Sequence, residues 1–314
     1  MTEQGKRILN NTDIILFDLD GVITSEENYW SCAAATVVHF LGYSVDKLTV
    51  DEIDQLTNLV FVGNDTIQYL KNKGINTNWD LGFVVFLVAK ILGLSDLSEE
   101  TFLRVNRELK DLNLDGIFDY YQYLEDKTGN GRDGVLWRQM QELHNRFYQE
   151  KMIHRQKAVL PIDVIQKTLE RLSRTKILGV GTGRQQYDME IALKSFGVMQ
   201  YFDPDRMVTY DDITDAEARL GISGLTKPNP YVFLRGALGK KADDSAIAKG
   251  IYGKFMNRVL VVGDAGSDIL AAKNCGAMSC AVLTGIAGKA GRDYFQKIET
   301  DWIIDDISCL IMEY

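Results

Sequence analysis

Asp18 and Asp20 follow an apolar run, IILF at residues 14–17, and Gly21 closes the stretch. A second acidic pair, Asp264 and Asp268, follows RVLVVG at 258–263, and Thr182 ends a third run, KILGVG at 176–181. Lys227 sits in GLTKPNP, just ahead of the helical pattern YVFLRGALG. Carboxylates crowded together repel, so some must take up a proton or share a cation. Hard oxygen ligands with room left for water suit Mg2+. An ammonium, a threonine hydroxyl and backbone N–H groups beside such an ion make a cradle for phosphate. A carboxylate facing that phosphate can attack phosphorus and form an aspartyl phosphate. A second carboxyl can protonate the leaving alcohol and then take a proton from the attacking water.

These residues are far apart in sequence, so the elements that carry them must bring them together. The three runs are continuously apolar and rich in β-branched residues, as in strands covered on both faces of a parallel sheet. Weaker strands are expected at 206–210 and 279–285, with a short edge strand at 301–305. Helical patterns follow at 185–197 and 267–276, ending on Gly197 and Gly276 as C-caps. Strands alternating with helices predict a doubly wound α/β fold with a mainly parallel sheet, whose ligand crevice lies beyond the carboxyl ends of the strands. Asp18, Thr182 and Asp264 all stand at such ends. If β-structure continued through Asp20, its side chain would share a face with that of Asp18. If the chain turns after Asp18, the second carboxylate can arc over the first.

Residues 27–157 contain little strand pattern and several helical ones. Among them LSEETFLRV offers Ser98 as an N-cap with acidic residues in the first turn. The expected organisation is a catalytic α/β core of residues 1–26 and 158–314, with an all-helical cap domain of residues 27–157 inserted after the first strand.

DLDGV, GVGTGR, TKPNP and GDAGSD, in this order, resemble the four motifs of the haloacid dehalogenase (HAD) superfamily. The chain is most similar to its phosphatases with an inserted helical cap, such as phosphoglycolate phosphatases and β-phosphoglucomutases. The resemblance covers roughly residues 10–25 and 160–310 and implies a HAD-like, Rossmann-like core. It implies Asp18 as nucleophile and Asp20 as general acid/base. Thr182, Gly183 and Lys227 would bind the substrate phosphate, with Lys227 also steadying Asp18. Asp264 would bind Mg2+ together with Asp18 and the backbone carbonyl of Asp20, and Asp268 would hold Lys227 or water on the metal. Dehalogenases and phosphonatases of this type lack a carboxylate two residues after the nucleophile, so Asp20 argues against C–halogen and C–P cleavage. The implied activity is Mg2+-dependent hydrolysis of a small phosphorylated metabolite, with the cap closing over the site. The same residues would serve a phosphomutase. A binding or regulatory module without catalysis is the reading outside the enzyme class, and retention of all four aspartates and the lysine counts against it.

The 314 residues carry a net charge of −9, which argues against nucleic acid or an anionic membrane as partner. The four cysteines show no metal-binding spacing, as expected of free thiols in a reducing cytoplasm. The N-terminus lacks the apolar stretch of a signal peptide. The longest apolar run, residues 81–89, is half a membrane span and ends at Lys90, so it is read as a core helix. His39, His144 and His154 are not spaced for zinc, and Tyr120, Tyr121 and Tyr123 are read as packing residues. The polar segment 125–134 is read as a surface loop. Arg184, just after the second motif, is expected either at the surface or against substrate.

Overall fold

The structure is a computed structural model that describes residues 3–311 except 76, 115 and 251–253. Along the chain, α1 (Glu3–Asn11) precedes β1 (Ile14–Phe17). Among the described residues the insertion has seven α-helices: α2 (Glu27–Phe40), α3 (Val50–Val60), α4 (Asp65–Asn72), α5 (Asn78–Ile91), α6 (Glu99–Leu112), α7 (Ile117–Thr128) and α8 (Val135–Phe147). The remainder is α9 (Ile162–Ser173), β2 (Ile177–Gly181), α10 (Gln186–Ser195), β3 (Met207–Val208), α11 (Tyr210–Leu220), α12 (Tyr231–Leu238), α13 (Asp244–Ala248), β4 (Val259–Gly263), α14 (Gly266–Cys275), β5 (Met278–Val282), α15 (Arg292–Lys297) and β6 (Trp302–Ile304). Contacts divide the chain into two units, Met1–Ser25 with Gln156–Tyr314, and Glu26–Arg155. No helix among the described residues is long and apolar enough to cross a membrane.

In the first unit six strands form one parallel sheet in the order β3-β2-β1-β4-β5-β6. The order reverses at β1, which has β2 on one side and β4 on the other, and such a reversal opens a crevice at the carboxyl ends. Register brings those ends level, since Phe17 pairs with Val180 of β2 and with Val262 of β4. The residues that follow, Asp18, Thr182 and Asp264, therefore leave three neighbouring strands at nearly the same height. Both faces are covered, as the unbroken apolar runs require. Ile15 and Phe17 pack with Leu169, Leu193 and Phe196 from α9, α10 and the turn after α10. Ile14 and Leu16 point the other way, among Ile213, Val232, Phe233 and Ala272 from α11, α12 and α14.

The chain leaves and re-enters this unit through a short antiparallel ribbon. Thr24 bridges Ala158, the Ser25 N–H donates to the Lys157 carbonyl (2.8 Å), and the Val159 N–H donates to that of Ile23 (3.1 Å).

The second unit is helical. Its apolar run lies in α5, where residues 80–89 are all buried, so this helix is apolar all round because it is surrounded by others. Ser98 caps α6, accepting from the Thr101 N–H at 3.2 Å. Thr49 and Glu52 form a capping box at the start of α3. Residues 125–128 complete α7 rather than joining the loop that follows, and the Arg132 guanidinium lies over the Tyr121 ring at 5.4 Å. Tyr120 and Tyr121 are buried and pack as the sequence suggested.

Candidate active site

Asp18 is the first residue past β1. Its N–H donates to the Val262 carbonyl (2.8 Å), extending the ladder by one bond and fixing the direction of its side chain. Lys227 arrives from the loop ahead of α12. Its Nζ donates to Asp18 Oδ1 at 2.8 Å and lies 2.8 Å from Asp268 Oδ1, with the Phe233 ring 5.0 Å away. Asp268 is the third residue of α14 and only 1% exposed. Its other oxygen, Oδ2, accepts from the Ala265 N–H (3.2 Å) and so closes the start of the helix. Helix capping and support of Lys227 thus fall to the two oxygens of one carboxylate. Asp264, partly buried, joins them: Asp18, Asp264 and Asp268 each offer an oxygen within 4.8 Å of the others.

Three carboxylates share this space with one ammonium. Burial, with Asp268 and Asp20 adding to it, pushes the Asp18 carboxyl up to about 7, against the pull of Lys227. Burial works against the Lys227 ammonium, but Asp18 and Asp268 outweigh it and hold the group above its ordinary value. The lysine stays charged, and the cluster is short of positive charge. A hard divalent cation suits that deficit, and the oxygens present are of the kind it takes. The backbone is shaped around Asp264 in the same sense. Gly21 has φ +73°, and a Cβ on either Gly21 or Gly285 would collide with the Asp264 carboxylate. Only glycine lets the main chain pass so close.

Strand structure stops at Phe17, and the chain turns. The N–H groups of Val22, Ile23 and Thr24 all donate to the Leu19 carbonyl, and that of Gly21 donates to the Thr24 carbonyl at 2.7 Å. Asp20 is therefore set in a turn, not on a continuing strand. Its Oδ1 accepts from Thr24 Oγ1 (2.9 Å) and from Arg184 Nε (3.1 Å) and Nη2 (2.6 Å); its Oδ2 accepts from Arg184 Nε (3.2 Å). Arg184 Nη1 donates to Gln156 Oε1 (2.8 Å) and Asp188 Oδ1 (3.3 Å).

Arg184 is not on the surface, one of the two places expected of it: its side chain is 2% exposed and is bonded to Asp20, Gln156 and Asp188. Thr182, 1% exposed, follows β2, and its Oγ1 accepts from the Arg184 N–H at 3.2 Å. Gly183 beside it is exposed, and nothing lies within 4 Å of the place a Cβ would take.

Of the residues singled out from sequence, Asp18, Lys227, Asp264 and Asp268 are in one cluster. Asp20 stands beside it in the Arg184 fork, and Thr182 and Gly183 follow the adjacent strand. Sequence reasoning missed the support around Asp20, namely Thr24, Gln156, Arg184 and Asp188, together with Thr284, whose Oγ1 donates to the Gly21 carbonyl. The four-residue spacing of Arg184 and Asp188 at the start of α10 was the available signal for that pair. Nothing local announces a partner as distant as Asp20.

Residues 225–310, which include Lys227, Asp264 and Asp268, match the model of a HAD-hydrolase-like family. No curated protein matches the chain. Among solved structures, an X-ray structure of a Northeast Structural Genomics Consortium target aligns with a TM-score of 0.75 at 24% identity, covering 95% of this chain and 97% of its own. A conserved haloacid dehalogenase-like protein of unknown function from Agrobacterium tumefaciens aligns at 0.51 and 16% identity, over 95% and 96%. A predicted phosphoglycolate phosphatase from Haemophilus somnus aligns at 0.51 and 16% identity, over 96% and 97%. At these identities the likeness is one of fold.

Proposed function

We propose that this chain, a HAD-like hydrolase by its C-terminal sequence and by its fold, is a Mg2+-dependent phosphatase that hydrolyses a small phosphorylated metabolite through an aspartyl phosphate. The observation that carries the reading is the buried Asp18 paired to Lys227, with Asp264 and Asp268 within reach and a second carboxylate, Asp20, two residues along. Asp18 attacks phosphorus. Lys227 keeps the nucleophile in place and meets the charge of the phosphate, and the Thr182 hydroxyl and the Gly183 N–H take its remaining oxygens. Asp20 gives its proton to the leaving oxygen and later takes one from the attacking water. Magnesium, held by Asp18, Asp264 and the backbone carbonyl of Asp20, would offset the charge of the transferring group and favour the ionised form of Asp18. The overall charge of −9 does not oppose a small anionic substrate, because a local cation and lysine outweigh a diffuse, screened field. We place the enzyme in the cytoplasm from its four unpaired cysteines.

Phosphate release from a panel of phosphomonoesters tests this. Turnover should require Mg2+, stop on adding EDTA and return when Mg2+ is restored in excess. A protein inert toward the whole panel with Mg2+ present would overturn the reading.

A further inference from the structure

Asp20 is held more firmly than a general acid needs to be if reaching the leaving group were its only constraint. Both its oxygens receive donors from one guanidinium, and that guanidinium is itself locked from behind. Arg184 Nε and Nη2 fork onto Asp20, while Nη1 bonds to Gln156 and Asp188, all inside the core unit. Asp188 is in turn tied to Gln156 Nε2 at 3.1 Å. The side chain of Arg184 is 2% exposed and that of Asp188 7%, whereas that of Asp20 is 24% exposed. One end of this chain of bonds is sealed and the other is open to the crevice. The two Asp20 oxygens also differ. Among the described residues Oδ1 accepts three hydrogen bonds, and Oδ2 accepts only the longer branch from Nε.

We infer that Arg184 is a positioning residue for Asp20, clamping Oδ1 so that Oδ2 is the oxygen that passes the proton. The inference rests on the phosphatase reading and deepens it. In the first step the Asp18–phosphorus bond forms, the phosphorus–alcohol bond breaks, and the proton on Asp20 Oδ2 moves to the departing oxygen. In the second, water attacks phosphorus, its proton goes to Oδ2, and Asp18 leaves as carboxylate. The guanidinium touches no substrate atom. Its planar fork fixes the carboxyl plane, which the single-point ammonium of a lysine cannot do.

Leaving-group dependence tests this. In kcat/KM, which reports steps up to the aspartyl phosphate, a p-nitrophenyl ester departs without a proton and an alkyl ester does not. Asp20→Asn gives the reference pattern, a loss confined largely to the alkyl phosphate. Arg184→Gln and Arg184→Lys should reproduce it in weaker form, losing about tenfold or more in excess on the alkyl phosphate, with lysine giving no rescue. Equal losses on both esters, or none, would overturn the inference, since a merely structural role moves both alike. If circular dichroism shows that the Arg184 variants do not fold, Thr24→Val takes over the test. It removes one donor to Oδ1 at nearly constant volume and should show an excess loss of about threefold in the same direction. A wild-type protein that hydrolyses neither ester would instead sink the phosphatase reading beneath it.

Discussion

Asp80 in the helical unit and Asp268 in the core unit occupy equivalent positions, each the third residue of a buried helix start. Each turns one oxygen to its own helix N-terminus, where Thr77 donates to Asp80 and the Ala265 N–H to Asp268. The other oxygen sets them apart. Asp80 Oδ1 accepts from the indole Nε1 of Trp137 at 2.6 Å, a neutral donor. Asp268 Oδ1 faces the Lys227 ammonium, which it shares with Asp18. Local sequence places a carboxylate at a helix start in both cases, but a partner distant in sequence decides whether it serves packing or chemistry. A buried carboxylate met by neutral donors is at rest. One placed among like charges and a shared cation is poised to bind an ion or to react.

The contrast is sharpest at the nucleophile. Asp18→Asn should lower phosphate release by more than about a thousandfold, with a melting temperature in EDTA equal to or above that of wild type, because it relieves repulsion with Asp268 and Asp20. Wild-type turnover in this variant would remove Asp18 from its role. The next comparison crosses the two helix starts. Asp268→Asn should cost about tenfold to a hundredfold in rate with a small change in stability, since Lys227 loses one of its two partners. Asp80→Ala should cost about 2 kcal/mol in urea unfolding by leaving the Trp137 indole without its acceptor, while the turnover of the folded fraction is retained. Matching outcomes for the two variants would erase the distinction drawn between them.

The smallest effect is one of pH. The Asp18 carboxyl is raised from 3.8 to about 7, so between those values the metal-free folded protein holds a proton that the unfolded chain has released. The stability this gives is complete below pH about 4 and is lost as pH rises through about 7. Asp18→Asn does not titrate. Its stability relative to wild type in EDTA should therefore grow by about 2 kcal/mol between pH 5 and pH 8, as read from urea melts. A constant difference across that range would show that Asp18 is ionised without a metal.

Much of the scaffold is legible in the chain. IILF, KILGVG and RVLVVG coincide with β1, β2 and β4 to within a residue, because strands buried on both faces must be apolar at every position. The edge is less legible. β3 is two residues long where a run of five was expected, and β5 extends only to Val282, although the Leu283 N–H still donates to the Ile304 and Asp305 carbonyls. Helix α1 was missed, since EQGKRILNN buries only Gly5, Ile8 and Leu9, too few apolar residues to stand out. At the site, the acidic and lysine residues stood out because their types are unusual at strand ends. The tie of Arg184 to Asp20 did not, because the two are 164 positions apart, and a buried guanidinium looks like an exposed one until its partner is known.

The ribbon formed by residues 23–25 and 157–159 also bears on how much the inserted segment can vary. Because the two cut ends of the core are already hydrogen-bonded neighbours, the core meets the inserted segment as little more than the loop of a hairpin. The entropic cost of closing such a loop rises only slowly with its length. The segment between these strands can therefore be lengthened, shortened or exchanged at little entropic cost to the sheet beneath.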